Sequence, residues 1–340
     1  MTSTTDPVSI AIIGCGAIAE LGHLPGALVS DRVTITALID RDEPRARAMA
    51  ERFGVPFVGT DMAQAADHAE AAVVALPPHL HRHGAEVLLG AGLHVLMEKP
   101  LATNLADSDA MVSAARAANR LLGVAMMRRF ASSAEYLKAA VASGMLGPIR
   151  HYTARSGAAD AWPSRSPFTF DAEQAGGGAL ISNGCHDVDL LFWLLGPLAD
   201  FTFHSDSPAR MESNCVIEGT LARGGTATIE ISRSRTLANT IRIEGAYATI
   251  EAPLMGETVQ VFPSGTQAGD FPQAEAPPLD YARVMARQLD NFAGAIRGTE
   301  PLLADGATGR DMIAFVNQCY ERNQMLELPW DCPIALGEAA

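Results

Sequence analysis

"VSIAIIGCGAIAE", residues 8–20, decides the fold. Val8 to Gly14 is a short, apolar, β-branched run of the kind that forms a strand buried on both faces. Gly14, Gly16 and Ala19 then fit G-x-G-x-x-G/A directly after that strand, where a helix over 17–30 is predicted to begin. In this pattern Gly14 makes the tight turn and Gly16 lets a pyrophosphate approach the backbone. Ala19 keeps the helix close to the sheet, and the phosphates sit on the positive helix N-terminus with Ala17 and Ile18 beside them. A glycine pair alone also marks ordinary βα turns. Here the next strand, "VTITALID" (33–40), ends on Asp40, about 20 residues beyond the glycines, where a dinucleotide fold places the acid that accepts from the ribose hydroxyls. Asp40 repels a 2′-phosphate and favours NAD. Arg41, immediately after it, is a residue type that clamps such a phosphate, so NADP stays open.

Outward from this unit the pattern continues. A helix over 43–54 is stopped by Gly54, and strands are expected at 71–76, 93–98 and 121–127, with helices over 79–90 and 104–118. Strands alternating with helices imply βαβ units and a doubly wound parallel sheet. After about residue 130 the texture changes. A helix over 132–143 leads into strands at 148–155, 199–205, 212–222, 225–234, 238–245, 247–251 and 256–262, interrupted by a helix at 185–195. Helices over 280–297 and 306–323 close the series, and the Pro/Gly-rich stretch 263–278 reads as a loop. The expected class is α/β: a Rossmann NAD(P)-binding domain at 1–127, then an α+β substrate-binding and oligomerisation domain at 128–340 with a large, mainly antiparallel sheet. In "ISRSRT" (231–236), Arg233 and Arg235 share a strand face and read as a solvated surface or subunit contact.

The whole chain narrows the function. Its 340 residues are enough for two domains, and 48% hydrophobic with 19% charged residues is ordinary for a globular protein. A net charge of −14 disfavours nucleic acid and anionic membranes as partners. The five scattered cysteines form no C-x-x-C pair, which reads as reduced thiols. With no basic-then-apolar leader at the start, the expected location is the cytoplasm.

Three further stretches carry chemistry. "LPPHLHRHG" (76–84) places Leu76, Pro77 and His81 at a strand end lining the cofactor cleft; on a helix His79 and His83 share a face that His81 leaves, so no metal is expected. "EKPLATN" (98–104) puts Glu98 and Lys99 at the C-terminal end of a parallel strand, where ligands bind in open α/β sheets. A lysine desolvated there can hold a substrate hydroxyl or carbonyl and shuttle its proton; equally, it is a surface lysine before a turn. "GGGALISNGCHDVD" (176–189) runs glycines into Ser182, Asn183, His186 and Asp189, and reads either as a catalytic, substrate-side wall or as a tight turn that opens a helix. Trp162, in the irregular loop "DAWPSRSPF" (160–168), either covers the nicotinamide or packs under the loop; Arg155, Asp160 and Arg165 are equivalent candidates for substrate contacts.

The Gly14-x-Gly16 turn, "PPHLH", "AGLHVLMEKPLATN", "RRF" (128–130) and "GGGAL…GCHDVDLLFWLLG" (176–196), in this order, resemble the glucose-fructose oxidoreductase/inositol dehydrogenase/rhizopine catabolism family over nearly the whole chain. The resemblance implies NAD or NADP, a sugar- or polyol-like substrate, and a homodimer or homotetramer built through the C-terminal sheet. It implies that Lys99 and His186 are the catalytic pair, that Asp189 contacts substrate, and that Arg129 of "RRF" joins the cofactor set. One position departs from the family pattern: an aspartate usually stands four residues before the histidine, and this chain has Ser182. Loss of that charge removes a partner for a protonated His186 and a counter-ion for Lys99.

Three readings follow. The first is hydride exchange between nicotinamide and a sugar, polyol or related hydroxyl/keto substrate. The second keeps NAD bound through a redox-neutral dehydration, epimerisation or glycoside cleavage. The third is a dinucleotide-sensing protein without catalysis, disfavoured by retention of Lys99 and His186.

Overall fold

The computed structural model describes residues 6–158, 167–264 and 280–326. The first sheet is built from β1 (Val8–Ile13), a π-helical segment (Ala19–His23) running into α1 (Leu24–Val29), β2 (Val33–Ile39), α2 (Glu43–Phe53), β3 (Phe57–Gly59), β4 (Ala71–Val74), α3 (His81–Gly90), β5 (His94–Met97), α4 (Leu105–Ala118) and β6 (Leu122–Val124). Its six strands lie in the order β3-β2-β1-β4-β5-β6, all parallel. The order reverses between β1 and β4, so the crevice at their C-terminal ends is the place where such sheets bind ligands.

The rest comprises α5 (Ser132–Ala142), β7 (Ile149–Gly157), α6 (Ala172–Ala175), a second π-helical segment (Leu180–Gly184), α7 (Cys185–Leu195), β8 (Leu198–Ser205), β9 (Asn214–Leu221), β10 (Thr226–Ser232), β11 (Thr240–Gly245), β12 (Ala248–Pro253), β13 (Gln260–Pro263), α8 (Tyr281–Ile296), α9 (Gly306–Glu321) and β14 (Asn323–Met325). Eight strands form one sheet, β13-β12-β11-β7-β10-β9-β8-β14. The β7–β10 and β8–β14 pairs are parallel and the others antiparallel, so the sheet is mixed.

Period-two alternation explains how the first sheet is covered. Val8, Ile10 and Ile12 join one core with Leu24, Ala46, Leu289 and Phe292, from α1, α2 and α8. Ala11 and Ile13 face the other core, which continues through Leu88, Met111 and Met312 to Leu191, Phe203 and Ile231 at the second sheet. Helices α8 and α9 therefore return to the first sheet's layer, packing on α1 and α4 respectively.

Two short strands, β3 and β14, have too few residues for a readable alternation. The helix expected over 306–323 ends at Glu321, and after Arg322 the residues Asn323–Met325 pair with the edge of β8. The strand expected at 256–262 is confined to Gln260–Pro263. Most of the 263–278 loop lies outside the described residues.

Candidate active site

The dinucleotide turn is held by backbone geometry. Gly14 has φ +97°, its N–H donates to the Ile39 carbonyl at 2.8 Å, and a Cβ there would lie 2.6 Å from the Ala75 carbonyl oxygen. Gly16 differs: a Cβ would meet nothing within 4 Å, leaving an open cradle over the start of the helix, where half-buried Ala17 and Ile18 follow. Asp40 sits beside this cradle, its Oδ2 accepting from the Cys15 N–H at 2.7 Å and its Oδ1 from the Asp42 N–H at 2.8 Å. Burial, and then the Asp40 charge, push the Cys15 thiol up to about 12, so it stays a protonated filler. A glycine-lined gap, a helix start and an oriented carboxylate fit a bound dinucleotide. Arg41 is exposed; Arg45, in the first turn of α2, pairs with Asp40 at 3.8 Å.

At the ends of β4 and β5, two expected cofactor contacts have other partners. His81 is fully buried, with Nε2 2.8 Å from the Leu76 carbonyl and Nδ1 3.0 Å from the Pro100 carbonyl. It ties the β4 turn to the "EKP" turn instead of facing a ligand, and burial pushes its pKa below the usual histidine range. Glu98 is also buried: His23 Nε2 lies 2.8 Å from Oε1, and Oε2 accepts from the Lys99 N–H at 3.1 Å. Leu76 and Pro77 are half-buried at the crevice, whereas His79 and His83 are exposed. Among the described residues, no three His, Cys, Asp or Glu side chains cluster as metal ligands would.

Across the crevice, Lys99 Nζ donates to the Ser182 carbonyl at 2.5 Å, which brings the end of β5 against the second π-helical segment. His186 follows in the first turn of α7. It is 6% exposed and its Nδ1 has no partner among the described residues. Burial first, then the charges of Lys99 and Arg128, push its pKa well below the ordinary histidine value. The imidazole is therefore neutral and able to accept a proton.

Asp189, expected to contact substrate, and Arg129, expected at the cofactor, have partners within the protein. The two are buried against each other: Arg129 donates to Asp189 through Nε at 2.8 Å and through Nη2 at 2.6 Å, and its Nη1 donates to the Leu303 carbonyl. A bidentate pair with its third edge capped leaves neither group directed at a ligand. The neighbouring Asp187 accepts from Arg128 at 2.7 Å.

The glycine run is not itself the wall. Residues 176–178 are buried, and a Cβ on Gly178 would lie 2.3 Å from the Glu212 carbonyl oxygen. The glycines seat the segment against Glu212, whose Oε1 accepts from the Leu180 N–H at 2.7 Å and the Tyr320 hydroxyl at 3.1 Å. What faces Lys99 is half-buried Ser182, followed by exposed Asn183. The Ser182 hydroxyl donates to the Ala179 carbonyl at 3.4 Å and accepts from Nη2 of Arg233.

Arg233 is the residue that sequence reasoning missed. It was expected on a solvated strand face with Arg235, but β10 ends at Ser232 and the chain turns there. Arg233 then points back to Ser182, while Arg235 donates to Asn214 at 3.2 Å and pairs with Glu230 at 3.1 Å. Its only signal in the sequence was a charge just past a strand. Trp162, with Asp160 and Arg165, lies outside the described residues.

Comparison with known proteins fits this geometry. Residues 8–126 match the model of an oxidoreductase family with an NAD-binding Rossmann fold, and residues 134–251 match the GFO/IDH/MocA C-terminal domain. A D-glucoside 3-dehydrogenase of Escherichia coli (strain K12) is 31% identical over 195 residues, which are 57% of this chain and 55% of that protein. A myo-inositol 2-dehydrogenase of Thermotoga maritima is 28% identical over 202 residues, 58% of each chain. The chain thus spans about half the length of these curated relatives. A levoglucosan dehydrogenase, solved with NADH and levoglucosan, superposes with a TM-score of 0.82 at 20% identity, over 93% of this chain and 97% of that one. At that identity the likeness is one of fold.

Proposed function

The chain belongs to the GFO/IDH/MocA oxidoreductase family and carries its NAD-binding Rossmann domain, and from this premise we propose that it is a nicotinamide-dependent dehydrogenase or reductase acting on a CH–OH group or the matching ketone of a sugar- or polyol-like compound. The observation that carries the reading is the 2.5 Å bond from Lys99 Nζ to the Ser182 carbonyl: it joins the end of β5 to the segment that leads into α7, and the Lys99 charge acts on the buried His186 at the start of that helix.

Gly14, Gly16, Ala17 and Ile18 would hold the pyrophosphate and Asp40 the adenosine ribose, which favours NAD over NADP. When bound, the nicotinamide supplies a two-electron acceptor or donor. Lys99 holds the substrate oxygen and stabilises the negative charge that develops on it as its proton leaves. His186 accepts that proton in the oxidative direction and returns it in the reductive one, burial keeping the imidazole in the form that does so. Ser182 acts through its backbone, positioning Lys99.

Assembly through the second sheet, as a homodimer or homotetramer, is part of the same proposal. The outer face of that sheet carries half-buried or exposed polar residues such as Thr153, Arg155, Thr228, Glu230, Arg242 and Glu244, and light scattering on the purified protein reads the oligomer size. Among the described residues no helix is long and apolar enough to cross a membrane. Cys15, Cys185, Cys215 and Cys319 are buried free thiols, which suits the proposed cytoplasmic location.

The test is Lys99→Ala assayed by nicotinamide absorbance over a broad panel of sugars, polyols and their keto forms. We expect kcat/KM to fall by about 10²- to 10⁴-fold while NADH binding, read by fluorescence, persists. A wild-type protein that binds NADH and turns over no member of the panel sinks the reading. Co-purifying NAD that cycles without net consumption would instead support the redox-neutral reading, which the neutral Ser182 beside the catalytic pair favours.

A further inference from the structure

Lys99 and Arg233 are bonded to the same residue: Lys99 Nζ to the carbonyl oxygen of Ser182, and Arg233 Nη2 to its hydroxyl. Both cations are half-buried, and among the described residues no carboxylate lies within ion-pair distance of either. Three of the acids nearby pair with other groups. Glu98 is engaged by His23 and the Lys99 N–H, Asp187 by Arg128, and Asp189 by Arg129. Glu212, the carboxylate whose charge most favours the Arg233 cation, is buried behind the glycine run and beyond ion-pair distance, its Oε1 bonded to Leu180 and Tyr320 and its Oε2 without a hydrogen-bond partner among the described residues. The position between the two cations, where the family pattern carries an aspartate, is a neutral serine. A guanidinium left half-desolvated with one hydroxyl partner keeps most of its five donors unused, and those donors match a planar oxyanion in bidentate fashion. Burial destabilises the Arg233 cation relative to water, and an anion arriving beside it reverses that.

We propose that the substrate of this chain brings the missing negative charge. It is a polyhydroxy compound bearing an oxyanion, carboxylate or phosphate, received by Arg233 while Lys99 holds the reacting oxygen. Arg233 is then the specificity-determining residue, and Ser182 is neutral because a carboxylate there would occupy the substrate's place. This rests on the crevice being the substrate pocket of a nicotinamide-linked oxidoreductase.

The test uses the full-length protein with NAD or NADH and matched sets that differ only in charge: sorbitol, D-gluconate and sorbitol 6-phosphate, with further polyol/aldonate and hexose/hexuronate pairs. Steady-state kcat/KM is measured for each, and binding of the charged and neutral members to the NADH complex is measured by calorimetry. We expect oxyanion-bearing members to be favoured at least about tenfold, the scale of one hydrogen bond to a charged group. The charged-to-neutral ratio should fall about tenfold in Arg233→Gln, be largely retained in Arg233→Lys, and fall again in Ser182→Asp, whose carboxylate competes for both cations. Preference for the carboxylate or for the phosphate members decides which oxyanion is used. Neutral members handled as well as charged ones, or a ratio that Arg233→Gln leaves unchanged, overturns the proposal while leaving the dehydrogenase reading intact. If nothing turns over, calorimetry decides: oxyanion binding lost in Arg233→Gln upholds the proposal and the dehydrogenase reading fails alone, whereas equal or absent binding of both members overturns it.

Discussion

At Gly16 the chain passes beneath open space, whereas at Gly176–Gly178 it is pressed against other parts of the protein. The first turn needs glycine for a left-handed backbone and a cleared approach, and its partners, Cys15, Asp40 and Asp42, are near in sequence or at the end of the adjacent strand. The second needs glycine to let Glu212 and Tyr320 come close, and everything that gives it chemistry arrives from afar: Lys99 from 83 residues upstream, Arg233 from 51 downstream. Glycines that clear open space and glycines that seat a segment can therefore look alike in sequence and differ in what they face.

The comparison breaks hardest at the long-range pairs. Asp189→Asn strands Arg129, which is 4% exposed, without a counter-charge. Removing one partner of a buried pair costs about 3–5 kcal/mol, and urea unfolding should read a loss of that size. Arg155→Ala, at the half-exposed pair with Glu230, should cost under about 1 kcal/mol by the same measurement. Equal losses from the two variants would mean that the segment after the second turn is not held by its buried pairs.

Next come the glycines themselves. Gly14→Ala meets a carbonyl oxygen at 2.6 Å with φ at +97°, and Gly178→Ala meets one at 2.3 Å. Each should destabilise the fold by about 1–3 kcal/mol through overpacking against backbone. Gly16→Ala places its methyl in open space. It should leave urea stability nearly unchanged but weaken NADH binding at least about tenfold, or 1.4 kcal/mol. A Gly16→Ala variant that binds NADH as tightly as wild type would show that the cradle is not where the pyrophosphate lies.

How much was legible follows the same division. The parallel sheet, its order of elements and the glycine–Asp40 geometry are local or nearest-neighbour facts, and apolar runs with their caps encode them. Lys99 and His186 stood out because a strand end and a helix start mark their positions. The partners that Arg129, His81 and Glu98 take within the protein were not legible, because a motif names residues near a cleft without saying which way each side chain turns. Arg129 looks inward to Asp189, and His81 looks sideways to backbone carbonyls. Arg233 was passed over because the strand expected to run to 234 stops at Ser232, and a boundary shift of two positions turns its side chain from a solvated face to Ser182.

The smallest expected effect compares one histidine from each region. His81 and His186 are both buried, and desolvation lowers the pKa of each from the ordinary 6.5, in His186 with help from Lys99 and Arg128. The folded state then refuses a proton that the unfolded chain accepts, so stability must depend on pH. The depressed folded values set the sign: the contribution is complete above pH 6.5 and is lost as pH falls from there toward the folded-state value. Each histidine should cost at most about 1 kcal/mol of unfolding free energy between pH 6.5 and 5.5, measured by urea unfolding at both pH values. Half-buried His94 is shifted the same way, and the raised carboxyls of Asp187, Asp189 and Glu212 pull in the opposite direction. The informative quantity is therefore the change in slope on substitution. His81→Gln removes one proton-refusing group and should flatten the profile by at most about 1 kcal/mol per pH unit over this window, whatever it does to stability at pH 7.5. An unaltered slope would place the protonation outside His81 and remove it as the clamp between the β4 turn and the lysine turn.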